Sequence, residues 1–262
     1  MSERIFIKIG GSFITDKTRP ESLHAGHIRK LASAILEATH DASYQIVLAH
    51  GAGAYGHIKA KEYNAQEGIH PEYGWKAYYE IRKDMTRMNL EFVSLCAESG
   101  LFPVTIQPSA IITAERGQVV KIDTNVIENL LRQDQIPLLH GDIVTDDRQG
   151  FTIASTEDIL TILSQQHPFQ RVIMISDVPG VLDKSGQLIP EIDPKNYQQV
   201  LRHLSGAKGA DVTGGMRGKV DRLYALVRSG SVRSARIISG DLDDDELRRV
   251  ITNASDAGTS IL

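Results

Sequence analysis

The chain has 262 residues, 41% of them hydrophobic, which is enough for one large α/β domain or two small ones and leaves no case for wholesale disorder. A net charge of −4 gives no reason to expect nucleic acid or an acidic membrane as partner. The single cysteine, Cys96, excludes an internal disulfide and a cysteine-built zinc site. With no apolar run long enough for a bilayer and no signal-peptide pattern in the charged opening residues, the expectation is a soluble cytoplasmic protein.

Residues 5–12 begin as an apolar strand and end in the pair Gly10-Gly11. Glycines let backbone N–H groups approach an anion without Cβ interference. Lys8 and Lys17 flank the turn, and a lysine in an Ile-rich strand is costly unless a negative charge meets it. The stretch reads either as a phosphate site at a strand end or as an edge-strand lysine before an ordinary turn. A helix is predicted over 22–39, with Leu31, Ile35 and Leu36 as its apolar stripe. A buried strand over 44–50 runs into Gly51-Ala52-Gly53-Ala54-Tyr55-Gly56-His57, a second glycine-rich turn that opens another helix. Tight strand–helix packing accounts for one such glycine, not three followed by a histidine. After a polar loop, residues 75–99 form a long amphipathic helix in which Tyr78, Tyr79, Met85, Met88, Leu90 and Leu95 are the candidates for burial; Cys96 joins them as a small core residue. A minority reading has this helix line an apolar acceptor site.

The second half repeats the alternation. Residues 102–106 read as a strand, 109–121 as an antiparallel excursion around Arg116-Gly117, and 125–133 as a helix. Residues 136–142 read as a strand ending in Gly141-Asp142, where Asp142 either orients a lysine or caps a turn. A short strand over 151–154 precedes a helix capped by Ser155 or Thr156, with Glu157 and Asp158 as ordinary first-turn carboxylates. A buried strand over 171–175 leads to a loop containing Asp177, Val181, Leu182, Asp183 and Lys184, and a helix follows at 196–205. A third glycine-rich turn, 211–219, holds Gly214, Gly215 and Lys219 and starts a helix through Leu226; strands at 232–239 and 258–262 close the chain. Alternating strands and helices predict an α/β fold, a three-layer αβα sandwich with a mostly parallel sheet. No linker or repeat interrupts it, so one domain over 1–262 is expected, with two functional halves dividing near residue 165.

Ligands of open α/β sheets gather beyond the carboxyl ends of strands. Three glycine turns meeting at one edge, with Lys8, Lys17 and Lys219, suit phosphoryl transfer, where positioning and charge neutralisation supply most of the catalysis. The G-x-x-x-x-G-K-[ST] phosphate loop is absent. Residues 51–56 do satisfy G-x-G-x-x-G, which keeps a dinucleotide-binding domain in competition; the ribose-binding carboxylate expected some way downstream has no strand end to sit on. His57, at the end of the second turn, is placed to donate a hydrogen bond to an anionic acceptor.

Lys8-Ile9-Gly10-Gly11-Ser12 with Ile14-Thr15-Asp16-Lys17, His50-Gly51-x-Gly53-x-Tyr55-Gly56-His57, Gly141-Asp142, Asp177-Val178-x-Gly180-Val181, Asp211-Val212-Thr213-Gly214-Gly215-Met216 with Lys219, and Gly258-Thr259 occur in order. From end to end the chain resembles the amino acid kinase superfamily, and within it the isopentenyl phosphate kinases. The histidine after the second turn is shared with fosfomycin kinases, so a phosphonate kinase stands as the second reading and a non-catalytic nucleotide sensor as the third. The resemblance implies ATP-dependent phosphorylation of a prenyl monophosphate with Mg²⁺, by a homodimer, and no catalytic base, because a phosphate monoester oxygen is already a nucleophile. It implies that Lys8 and Lys17 contact the transferring group and that His57 holds the acceptor phosphate. Ala52, Gly53 and Gly141 would line the acceptor side. Lys8, Ile9, Gly10, Gly11, Ser12, Gly53, Asp177, Val181, Leu182, Asp183, Lys184, Gly215 and Lys219 would hold the nucleotide. No protein ligand to the metal is named. The chain departs from the family at Ala52 and Ala54, where glycine and serine are usual. It departs again at Glu157 (or Asp158), where an Asp is usual, and at Leu182, where an aromatic is common.

Overall fold

An apolar run with one lysine in it makes the central strand, β1 (Glu3–Ile9). Ile5, Ile7 and Ile9 face one hydrophobic layer and Phe6 the other, so both faces of the strand are buried, as a parallel sheet covered by helices requires. The computed structural model describes residues 2–16, 19, 21–40, 44–204 and 215–262, His40 by its backbone alone. The strand ends at Ile9, at the glycine pair as its sequence suggests, and Gly11 starts a four-residue helical turn, α1 (Gly11–Ile14). Then come α2 (Ala25–His40), β2 (Tyr44–His50), α3 (Gly53–Glu62) and α4 (Trp75–Glu98). β3 (Val104–Thr105), α5 (Pro108–Ile111), β4 (Ile112–Glu115), β5 (Gln118–Ile122) and α6 (Asn125–Arg132) follow. β6 (Pro137–His140), β7 (Asp142–Asp146), β8 (Gly150–Ala154) and α7 (Thr156–Gln166) lead to β9 (Phe169–Ser176). The chain continues through β10 (Glu191–Ile192), α8 (Tyr197–Leu204), α9 (Gly215–Arg228), β11 (Val232–Ser239), α10 (Asp244–Ile251) and β12 (Thr259–Ile261).

The main sheet runs β10-β12-β11-β9-β1-β2-β6-β3 and is parallel except for the β11–β12 pair. It is the mostly parallel α/β sheet that the alternation predicts. A smaller sheet, β5-β4-β7-β8, grows from β6 across Gly141. Its two hairpin turns are tied together by the buried Asp146 carboxylate. Asp146 accepts backbone N–H bonds from Arg116, Gly117, Arg148 and Gln149 at 2.7–3.1 Å. Burial opposes the charge, and those donors outweigh it, so the carboxyl titrates below its ordinary range. Arg116 and Gly117 both have positive φ, at 52° and 79°, the geometry of a tight hairpin. Among the described residues no helix is long and apolar enough to cross a membrane.

Four points differ from the sequence reading: two expectations need correction, and two elements lie where it assigns none. Tyr79 and Leu90 of α4 are exposed, at 62% and 64%, whereas Met85, Met88, Leu95 and Cys96 are buried as predicted. Alternative stripes on a long helix are close in hydrophobicity, and only its neighbours decide between them. The 102–106 strand shrinks to two residues at the sheet edge, with Phe102 exposed, because β6 pairs with it only at Val104 and Thr105. Residues 142–146, which the sequence reading leaves unassigned beyond Asp142, form β7. The fourth is α10, which that reading passes over. Its Asp243 side chain accepts from the Glu246 N–H at 2.8 Å, and Leu247, Val250 and Ile251 are buried.

Candidate active site

β9, β1, β2 and β6 are adjacent parallel strands, so their carboxyl ends fall at one edge. Residues of the predicted site meet there. Gly10 bonds through its N–H to the Ile175 carbonyl at 2.7 Å, which sets the first turn against the end of β9, two residues before the exposed Asp177. A side chain on Gly11 would lie 2.3 Å from the Gly53 nitrogen, and one on Gly51 would lie 2.8 Å from the Gly11 nitrogen. Gly53 has φ +50°, and a Cβ there would reach Thr15 at 2.4 Å. Gly56 is hemmed in by Ala52 and Met85. Packing therefore needs all three glycines of the second turn, where the sequence argument allowed it only one. The two turns lie backbone against backbone, which leaves Gly11 and Ser12 to open α1 with N–H groups that no helical carbonyl takes.

Thr15 clips the two turns together. Its hydroxyl donates to the Gly11 carbonyl at 2.8 Å and accepts from the Ala54 N–H at 3.0 Å. The Ala54 N–H is thus met by the Thr15 hydroxyl. Gly141 is buried, and a Cβ on it would lie 3.7 Å from the Ala52 nitrogen, so Ala52, Gly53 and Gly141 are neighbours.

Lys8 is the charged centre. It is 7% exposed on β1, and its Nζ donates to Glu157 Oε1 at 2.8 Å. Burial opposes the Glu157 charge, but the Lys8 ammonium and its hydrogen bond outweigh that and bring the carboxyl down to about 2. The structure so decides between the two carboxylates opening α7. Glu157 partners the lysine. Asp158 forms a capping box with Ser155 and pairs with Arg222 of α9. Lys219 is half-buried on the same helix, three residues before Arg222. Gly215 opens α9 with φ +54°.

Among the described residues Asp142 meets no lysine. Buried at the start of β7, it accepts from Gln107 Nε2 at 2.7 Å and the Ser109 N–H at 3.3 Å, with Arg82 of α4 at 4.0 Å. Burial raises its pKa, and these donors act against the rise. His57 is exposed on α3, four residues after Gly53. Its helix is fastened to α4 by Lys59, held at 2.9 Å from Glu80 and 3.1 Å from Asp84. Burial lowers the Lys59 pKa, but the two carboxylates outweigh it and the ammonium is held above its ordinary value. Neither this tie nor the Thr15 clip has a signal in the sequence, since each joins residues of different elements.

On the β9 side, Val181 is buried and its N–H donates to Thr259 Oγ1 at 2.8 Å. Leu182 bridges to Leu188, Asp183 closes its own turn through Ser185 and Gln187, and Lys184 is exposed. Lys17, Gly214 and the rest of 205–214 lie outside the described residues, so two of the three glycine turns are seen to meet. Among the described residues no group of three or more His, Cys, Asp or Glu is arranged to hold a metal.

Residues 3–239 match the amino acid kinase family. The chain is 33% identical to the isopentenyl phosphate kinase of Methanocaldococcus jannaschii, over 83% of this chain and 85% of that one. It is 32% identical to the isopentenyl phosphate kinase of Haloferax volcanii, over 85% and 88%. A solved isopentenyl phosphate kinase structure superposes with a TM-score of 0.82 at 26% identity, covering 99% of this chain and all (100%) of the other. With a glutamate-held lysine on the strand that enters the first of two interlocked glycine turns and a match along nearly its whole length, the chain belongs to the amino acid kinase family, in its isopentenyl phosphate kinase branch.

Proposed function

We propose that the chain transfers the γ-phosphoryl group of ATP to isopentenyl phosphate, giving isopentenyl diphosphate and ADP. The observation that carries this reading is the buried Lys8 ammonium, held by Glu157 and carried on the strand that runs into the first of two touching glycine turns. A loose phosphoryl-transfer transition state asks the protein for position and positive charge rather than for covalent chemistry. Lys8 supplies charge that Glu157 keeps in place. Gly11 and Ser12 offer N–H donors to the ATP phosphates, with Lys219 and the Asp177–Lys184 stretch on the nucleotide side. Ala52, Gly53, His57 and Gly141 form the acceptor side, and Lys17 is assigned to the transferring group. Residues 1–165 thus act as the acceptor half and 166–262 as the nucleotide half. Mg²⁺ fits this set only as an ion carried on the ATP phosphates, since Glu157 already serves Lys8.

Coupled measurement of ADP release with ATP and isopentenyl phosphate tests the reading; absence of turnover with any prenyl monophosphate overturns it, and turnover of fosfomycin alone selects the phosphonate alternative. His57→Ala is expected to raise the acceptor KM and lower kcat/KM about a hundredfold, the scale for one lost donor to a phosphoryl oxygen. Unchanged kcat/KM removes His57 from the site. The homodimer is part of the same proposal. Leu90 on α4 and Phe102 and Val104 at the β3 edge are exposed apolar residues, on elements that the Asn89–Thr105 hydrogen bond joins. A second copy would cover them. Sedimentation velocity is expected to show a dimer, and a monomer at micromolar concentration rejects this part.

A further inference from the structure

Two buried histidines stand side by side at the same sheet edge, and the scheme above uses neither. β2 and β6 pair in register, so His50 lies opposite His140. Both are fully buried, with stacked rings 5.4 Å apart. Each is followed by a glycine, and each ring turns back onto that glycine's carbonyl. His50 Nδ1 lies 3.1 Å from the Gly51 oxygen and His140 Nδ1 lies 3.0 Å from the Gly141 oxygen.

A carbonyl oxygen only accepts, so Nδ1 carries the proton in both rings. Burial, helped at His50 by the neighbouring ring, lowers the pKa values to about 3 for His50 and about 4 for His140, and both rings are neutral near pH 7. Nε2 is then a bare lone pair. At His140 that atom is buried without a partner among the described residues, and an unpaired acceptor is cheaper there than an unpaired N–H. At His50 it lies 3.2 Å from the Asn89 carboxamide, whose other end is 3.0 Å from the Thr105 hydroxyl. The amide oxygen is the end that faces the ring and the NH₂ the end that faces Thr105, so a bare Nε2 requires the carboxamide to be turned over, its NH₂ given to the ring and its oxygen accepting from Thr105.

In a trans peptide the carbonyl and the next N–H point in opposite directions. Drawing the Gly51 oxygen toward the His50 ring therefore turns the Ala52 N–H away from it, beside Gly141, and that N–H has no acceptor among the described residues. We infer that His50 and His140 are positioning residues, neutral rings protonated at Nδ1: His50 pins the Gly51 carbonyl and so aims the Ala52 N–H at the acceptor phosphate, and His140 pins the Gly141 carbonyl beside it. The role in acceptor binding rests on the phosphoryl-transfer reading; the tautomers do not.

Two measurements test it. In ¹⁵N-histidine NMR of the wild-type protein, both rings are expected to show a protonated Nδ1 and a bare Nε2, unchanged down to about pH 5. A proton on Nε2 of either ring, or titration above that pH, overturns the inference. In kinetics, Asn places an amide nitrogen near the Nδ1 position and Gln places one near Nε2. His50→Asn is expected to keep the acceptor KM within about threefold, His50→Gln to raise it about tenfold or more, and both to leave the ATP KM unchanged. A ring that only fills space makes the two variants behave alike, and that result also overturns the inference. If the variants do not fold, the wild-type tautomers decide. Wild-type protein that fails to phosphorylate isopentenyl phosphate rejects the acceptor reading while its tautomers stay measurable.

Discussion

Lys8→Met is expected to lower kcat/KM at least about a thousandfold, ~4 kcal/mol of transition-state stabilisation, with the fold intact. The thioether matches the lysine stem in volume but carries no charge. It leaves Glu157 facing the phosphates as an uncompensated carboxylate, so repulsion is added to the lost attraction. A kcat/KM within tenfold of wild type contradicts the assignment of Lys8. The complementary change, Glu157→Gln, leaves Lys8 without its anion and tests the pair as a stability element. The Glu157 carboxyl is depressed from 4.5 to about 2. At ~1.4 kcal/mol per pH unit this depression is worth on the order of 3 kcal/mol. Because the folded-state pKa is the lower one, that stabilisation is fully present above pH 4.5 and is lost as pH falls through about 2. The gap in urea midpoint between wild type and Glu157→Gln should accordingly be full near neutrality and close in that acid window. A gap independent of pH shows that the pair contributes nothing through charge.

Gly11→Ala is expected to destabilise the protein by about 3 kcal/mol and to lower kcat/KM about a hundredfold. The added methyl carbon would lie 2.3 Å from the Gly53 nitrogen, 2.7 Å from its Cα and 3.2 Å from the Gly51 carbonyl carbon. All three are backbone atoms, so no rotamer change relieves the contact and one turn must move off the other. Such a shift misplaces the donors of α1 and the acceptor turn together. Gly26→Ala is the internal control. That glycine lies inside α2 with nothing within 4 Å of its would-be Cβ, so alanine there should stabilise by ~0.5–1 kcal/mol. Thermal unfolding of the two variants against wild type checks both. Equal effects would mean that the Gly11 contact is not tight.

Much of this molecule is legible in the order of its residues. The strands at 44–50 and 232–239 coincide with β2 and β11, and the 75–99 helix misses α4 by one residue, since long periodic runs bounded by turn residues leave little choice. The lysine in an apolar strand raises a buried charge as one of two readings before any contact is known. Its partner has no local signal: Glu157 and Asp158 read as ordinary first-turn carboxylates, consecutive residues in a first helical turn face different ways, and only the helix's placement selects Glu157.

The sequence alone determined the parallel α/β sheet, the glycine turns at its edge and the presence of a charged centre, since periodicity and backbone freedom are local properties. The tertiary structure alone decided that the glycines of two turns exist for each other, that Asp142 meets Gln107 and Arg82, and that two histidines 90 residues apart in sequence share one buried register. These are contacts between elements distant in the chain. Their distances follow from how the layers pack, which no local pattern encodes.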